Sequence, residues 1–266
     1  MILLAANGSP ILNTLFSQGD LPIDLVKCPL SGNSRGEVTQ FRPYRPVILH
    51  GWGPVYWIGQ RGVPEPELLR ELMAVSGSPY VSTHLDAQPG DFDAVLTPET
   101  ALARIIKNVH TLREITGAGV LVENIPYFSW GKSLRFTTDP DFIRMALEAS
   151  GAAFLLDLAH AKVSAWHRGE DFRAYLDALP FELVREVHLS RPRLEDKGMR
   201  DRHLPLKDED YSLLQALLPK LPNVGMVALE YGGLSESDGI ARNDPEALRE
   251  QITRLRTLID EANHAA

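Results

Sequence analysis

A single cysteine, Cys28, stands in a chain of 266 residues. One thiol excludes an internal disulfide and any thiolate metal cluster, and it fits a reducing compartment. Its strand-like setting, IDLVKCP, marks it as a buried structural thiol. Cations are also scarce, with 27 Lys and Arg against 35 Asp and Glu, a formal charge of −8 and a pI near 5.5. Nucleic-acid binders gather Lys and Arg into a strongly basic face, so nucleic acid is not the expected partner. No apolar run approaches the roughly 20 residues that span a bilayer. The opening MILLAANGSP has no basic segment ahead of its short apolar stretch, so it reads as a first strand and not as a signal peptide. No membrane association is expected, and the cytoplasm is the expected location. A phosphate loop, a G-x-G-x-x-G turn after a strand and a serine nucleophile elbow are all missing, which removes the common nucleotide and acyl-transfer chemistries.

What the chain does have is a series of hydrophobic runs ending on a residue able to bind a metal. His50 follows PVIL, His84 follows YVST, Glu123 follows VLV, Asp157 follows FLL, His188 follows REV and Glu230 follows MVAL. The endpoints recur every 31 to 42 residues, about one strand-helix unit each. Eight strands are expected: Ile2 to Ala6, Ile23 to Cys28, Pro46 to His50, Pro79 to His84, Gly119 to Glu123, Ala153 to Asp157, Val184 to Leu189 and Gly225 to Glu230. Eight parallel strands close the common (β/α)8 TIM barrel, and barrels of about 250 residues form one domain. Residues 1–266 are therefore read as a single α/β TIM-barrel domain, with 44% hydrophobic residues to fill its core.

Helix starts support this reading. Thr97-Pro98, Asp139-Pro140 and Asp244-Pro245 each place a capping side chain ahead of proline at the first turn. A further helix is expected near Pro66 to Ser76. Gly32 to Gln40 reads as a polar loop, Gly51 to Val63 as a long aromatic loop, and Asn263 to Ala266 as a mobile tail.

The C-terminal ends of parallel barrel strands share one mouth, so the six endpoint residues should converge there. Imidazole and carboxylate suit Fe(II), Mn(II) or Zn(II). His160, three residues past Asp157, and Asp201 and His203, in the loop after the seventh strand, extend the set to nine candidate ligands. That is more than one ion needs, and it points to two or three ions with Glu123 or Asp157 as bridging carboxylates. Glu123, Asp157 and His160 are the candidate catalytic residues. Trp52, Tyr56, Trp57, Tyr127, Phe128, Trp130 and Trp166 follow metal-bearing segments as candidate pocket walls. Asn124, Trp52 and Tyr127 are candidate substrate contacts. Arg191 and Arg202, with Arg200 nearby, are candidates to hold a substrate carboxylate through paired hydrogen bonds. His110, His167 and His264 are assigned to surface or packing roles.

Read together, VILHGWG, VSTHL, VENIPYF, LLDLAHA, EVHLS, DRH and ALEYG resemble, in order and spacing, the segments of the multinuclear non-haem iron-dependent oxidative enzymes, a family that includes the iron oxidase of methanobactin biosynthesis. The resemblance spans about residues 46–232. It implies a xylose-isomerase-like barrel carrying two or three irons on His50, His84, Glu123, Asp157, His188, Asp201, His203 and Glu230. It also implies dioxygen-dependent modification of a peptide, often at cysteine, with a partner protein that recognises the leader segment. A small thiol-bearing molecule is the other expected substrate. The chain departs from the family pattern at three places: His160 stands for Asn, Pro192 stands where a second His would fall, and Lys27 stands near the end of the second strand where an acidic residue is expected. A divalent-metal sugar isomerase or epimerase of the same barrel group, a phosphodiester-cleaving repair enzyme and a non-catalytic barrel are the competing readings.

Overall fold

The computed structural model describes residues 1–29, 33–51, 57–93, 95–130, 134–232 and 242–265. Trp52 and Tyr56, candidate pocket walls from the sequence, lie outside the described residues. Eight parallel strands close a barrel: β1 (Leu3–Asn7), β2 (Leu25–Pro29), β3 (Val47–His50), β4 (Tyr80–His84), β5 (Gly119–Glu123), β6 (Ala153–Asp157), β7 (Val184–Leu189) and, after a hairpin described below, β10 (Met226–Leu229). All eight are the strands expected from the hydrophobic runs; β5, β6 and β7 keep the expected bounds and the others move by at most two residues at an end. The wall order is β1-β10-β7-β6-β5-β4-β3-β2, and every neighbouring pair is parallel. The fold is a xylose-isomerase-like TIM barrel.

The helices pack outside that wall: α1 (Pro10–Gln18), α2 (Ser34–Phe41), α3 (Pro66–Ser76), α4 (Pro98–Thr116), α5 (Pro140–Ser150), α6 (Leu158–Arg168), α7 (Phe172–Asp177), α8 (Asp208–Leu217) and α9 (Pro245–Ala265). Their boundaries follow local chemistry. For α4, Thr97 and Thr100 form a reciprocal cap, Pro98 occupies the first turn, and Gly117 closes the helix at φ 64°. Its inner face carries Ile105, Val109 and Leu112 at helical spacing, and all three are fully buried in the main core. Within the lumen a small apolar plug of Ala5, Ile48, Met226 and Ala228 fills the barrel below the mouth. Cys28 is buried and unpaired, as its setting suggested, and burial pushes its thiol well above the ordinary value.

Three expectations are corrected. Ser34–Phe41 is a helix and not a polar loop, because Val38 and Phe41 bury one face of an otherwise polar segment. The segment after β7 is a two-stranded antiparallel hairpin, β8 (Arg191–Glu195) and β9 (Gly198–Leu204), and not a loop. The C-terminal segment does not trail off, since α9 continues to Ala265. Asn263 accepts from Ile2 N–H at 2.6 Å and donates to Ile2 C=O at 3.0 Å, so the last helix ties down the first strand. Among the described residues no helix is long and apolar enough to cross a membrane. Asn263→Ala, which strips both bonds from the edge of β1, is expected to cost about 1–2 kcal/mol, read as a thermal midpoint lower by several degrees.

Candidate metal centre

Parallel strands carry every strand-end donor to the same mouth, and the register fixes which donors face each other. His84 pairs with Glu123 across β4 and β5, and Asp157 pairs with His188 across β6 and β7. Glu123 sits at the centre, almost wholly buried. Its Oε2 lies 3.3 Å from His50 Nε2 and 3.4 Å from His84 Nε2, while its Oε1 lies 3.1 Å from His160 Nδ1 and 3.5 Å from His188 Nδ1. Each carboxylate oxygen therefore faces a different set of nitrogens.

Two donor groups have ligand atoms within 4.8 Å of one another: His50, His84 and Glu123; and Glu123, Asp157 and His188. Glu123 belongs to both. A second cluster lies alongside, with Asp201 Oδ2 at 2.8 Å from His203 Nε2 and 3.5 Å from His160 Nε2, and with Glu230 Oε1 3.1 Å from His188 Nδ1. All nine candidate ligands named from the sequence are thus brought to one mouth.

Surrounding groups orient the imidazoles. His50 Nδ1 lies 2.7 Å from Ser82 Oγ, which leaves Nε2 directed at Glu123. His160 Nδ1 faces the Asn124 carbonyl at 2.8 Å, leaving Nε2 toward Asp201. Asp157 also serves as the cap of α6, accepting from His160 N–H at 2.6 Å, so one carboxylate starts the helix and fixes the histidine three residues on.

The electrostatics are those of a site built around missing positive charge. Glu123 Oε2, Asp157 Oδ2 and His188 Nδ1 are buried without a hydrogen-bond partner, an arrangement that costs free energy unless a cation occupies the space between them. Burial pushes Asp157 well above the usual carboxylate range, with Glu123, Glu230 and Asp201 adding to it against His160. Burial also works to raise Glu123, but the imidazoles of His84, His50 and His160 outweigh it and hold the carboxyl below its ordinary value. Burial, reinforced by the charge of Lys27, drives His50 down to about 3. Burial opposes protonation of His203 as well, yet Asp201 overrides it and lifts the ring to about 9. Oxygen and imidazole donors in this number suit iron, manganese or zinc.

The hairpin is what delivers Asp201 and His203. It is anchored on α6, which also carries His160: His167 Nε2 lies 2.9 Å from the Met199 carbonyl, and Trp166 and His167 pack under Gly198 at φ 107°. His203 itself adopts φ 47°, a left-handed backbone uncommon outside glycine. Strain of this kind persists where surrounding contacts hold it.

The remaining candidates fall into place around this core. Asn124 is buried, donating to the Asp157 carbonyl at 2.9 Å and accepting from Asp157 N–H at 2.8 Å, so it braces β5 against β6. Arg191 donates to the Pro205 carbonyl at 2.6 Å, and Arg202 makes a two-point contact with Glu195, so both brace the hairpin. Tyr127 is half-buried, its N–H held by Ser164 Oγ at 2.9 Å. Arg200 lies over the rings of Phe128 and Trp130. Sequence reasoning missed Glu186, buried at the same inward face of β7 as His188; its position two residues before His188 was the available signal.

The profile of the RiPP precursor modification enzymes MbnB/TglH/ChrH matches residues 28–233. The chain belongs to this family. The MbnB/TglH/ChrH match covers every residue of the mouth from His50 to Glu230. A UPF0276 protein of Caulobacter sp. (strain K31) is 28% identical over 144 residues, covering 53% of this chain and 52% of its own length. One from Rhizorhabdus wittichii is 27% identical over 266 residues, covering 93% and 90%. The chain thus spans about half the length of some curated relatives it matches and most of another. A solved L-ribulose 3-epimerase superposes with a TM-score of 0.62 at 16% identity, covering 100% of this chain and 98% of its own, a likeness of fold.

Two outcomes follow. A methyl group at position 198 would overlap Trp166 Cζ3, so Gly198→Ala should strain the hairpin by about 1–3 kcal/mol; metal analysis should show fewer ions per chain while the barrel still melts cooperatively. Metal ligation needs His203 deprotonated, and its ring is lifted to about 9 without metal. Apparent metal affinity should therefore rise with pH until about 9, and calorimetry in buffers of different ionisation enthalpy should register protons released on binding.

Proposed function

We propose that this chain is a multinuclear non-haem iron enzyme that uses dioxygen to oxidise a peptide at cysteine. Membership in a family of RiPP precursor modification enzymes supports a peptide substrate. The observation that carries the metal part of the reading is Glu123, whose two oxygens face two different nitrogen sets and which belongs to both donor groups. A carboxylate in that position would be able to serve two cations, one through each oxygen. His50, His84 and Glu123 would hold one ion and Glu123, Asp157 and His188 a second, with His160, Asp201, His203 and Glu230 completing these or holding a third.

Bound iron would supply Lewis acidity toward a substrate thiolate and electrons for dioxygen. The chain's own residues do the rest. Asn124 and Ser82 keep Asp157 and His50 in register, so the donors are fixed before substrate arrives. The apolar plug of Ala5, Ile48, Met226 and Ala228 closes the lumen from below, so access is from the mouth. Arg200, next to Asp201 in the chain, lies over the rings of Phe128 and Trp130, and this stack with the hairpin would offer an extended peptide an aromatic and cationic surface. Tyr127, Arg191 and Arg202 are proposed to lie along the same approach, and a leader-recognising partner protein would deliver the peptide there.

Anaerobic purification, elemental analysis and Mössbauer spectroscopy, followed by oxygen uptake with cysteine-bearing peptides, test this. The expected result is two or three irons per chain, magnetically coupled, with oxygen consumed only when such a peptide is present. A chain that binds no iron overturns this reading, and one that turns over sugars with Mn(II) under strict anaerobiosis would instead be a metal-dependent isomerase or epimerase.

A further inference from the structure

A buried pair of charged groups lies one step below the donor set. Lys27 on β2 and Glu186 on β7 are 2% and 0% exposed. Their strands are not neighbours, because β1 and β10 stand between them in the wall, so the pair meets across the lumen. Lys27 Nζ lies 2.6 Å from Glu186 Oε1. Glu186 Oε1 is in turn 2.9 Å from His188 Nε2, and Lys27 Nζ lies against the same nitrogen.

His188 is fully buried, and its other nitrogen, Nδ1, points at Glu230 Oε1 (3.1 Å), Glu123 Oε1 (3.5 Å) and Asp157 Oδ2 (3.8 Å) with no hydrogen bond. A neutral imidazole carries its proton on one nitrogen and a lone pair on the other. Lys27 alone would favour a lone pair on Nε2, which puts the proton on Nδ1 and spoils Nδ1 as a ligand. Glu186 favours the opposite tautomer, with the proton on Nε2 and the Nδ1 lone pair facing the three carboxylates. That second arrangement is repulsive when empty and attractive around a cation.

We propose that Glu186 is a positioning residue that accepts the Nε2 proton of His188 and so presents Nδ1 to the metal, and that Lys27 is its buried counter-ion, held to Glu186 rather than to the imidazole when metal is bound. The inference rests on the metal centre proposed above. It also gives Lys27, the basic residue standing where an acidic one was expected, a specific partner. Groups that accept the second ring proton of a metal-bound histidine fix its tautomer and orientation, and their loss typically weakens metal binding about 10–100-fold.

The test compares the wild-type chain with the double variant Lys27→Met/Glu186→Leu and with Glu186→Gln. Replacing a buried ion pair by apolar residues of similar volume is often neutral or stabilising, so the double variant should melt at or above the wild-type temperature. Its affinity for Fe(II), measured by chelator competition under anaerobic conditions, should nevertheless fall about 10–100-fold. Glu186→Gln should recover part of the loss, because an amide oxygen still accepts from Nε2–H. Independently of any variant, 15N-histidine spectra of the Zn(II)-loaded wild-type chain should show a proton on His188 Nε2. A folded double variant that binds Fe(II) as tightly as wild type overturns the inference while leaving the metal centre standing. A Zn(II)-loaded wild-type chain with no proton on Nε2 does the same. A wild-type chain that takes up no Fe(II), Mn(II) or Zn(II) overturns both.

Discussion

Four carboxylates, Glu123, Asp157, Asp201 and Glu230, are held within one largely buried mouth, and their mutual repulsion is the constraint to which the rest of the structure answers. The barrel makes the convergence unavoidable, because parallel strands of similar length deliver their ends to one rim. Five imidazoles are interleaved among the acids so that Glu123 faces His50, His84, His160 and His188 at 3.1–3.5 Å. Even so, the charges are not settled internally: Asp157 is forced toward its neutral form while Glu123 is kept ionised. A site that leaves adjacent carboxylates pushed in opposite directions, with three buried donor atoms unbonded, is organised for cations that arrive from outside the chain.

The scaffold divides the work of holding these groups between rigid and adjustable parts. His50, His84, Glu123, Asp157 and His188 sit on barrel strands whose backbone is fixed by the register. Asp201 and His203 ride on a hairpin outside the wall, anchored mainly through α6 by Trp166 and His167. Because α6 begins at the Asp157 cap and carries His160, the helix links the rigid donors to the hairpin donors.

Much of this was legible in the sequence because two periods coincide: strand-helix units of 31 to 42 residues, and one donor at the end of each of the last six strands. That coincidence located six of the nine candidate donors and the strands that carry them; His160, Asp201 and His203 stood out only as neighbours of those ends. The hairpin was not legible, since RPRLEDKGMRDRH alternates charge with charge and shows no apolar face; it is held by contacts with α6, which local pattern cannot report. The helix at Ser34–Phe41 was hidden for a similar reason, with only Val38 and Phe41 marking its buried side. Asn124, which follows Glu123, is turned by the pleat to the Asp157 backbone, a bracing role that the sequence did not show. Glu186 reads in VREVHL as an ordinary exposed strand residue. Only the inward direction of His188, two residues later, places it inside the barrel.

Charge balance also bears on what the centre is suited to do. The Lys27–Glu186 pair is neutral by itself, so it adds nothing to the charge of the mouth above it. Four ionised carboxylates with five neutral imidazoles balance two divalent cations. A third divalent ion, or oxidation of one ion to the trivalent state, leaves the buried centre net positive. An anionic ligand is then the least costly way to restore neutrality in a low-dielectric site. A cysteine thiol, with an ordinary pKa of about 8.5, gives up its proton far more readily than a sugar hydroxyl, and as a thiolate it would supply that charge. The same excess of donors that argues for more than one ion therefore favours an acidic substrate group, and the two halves of the proposed function rest on one electrostatic requirement.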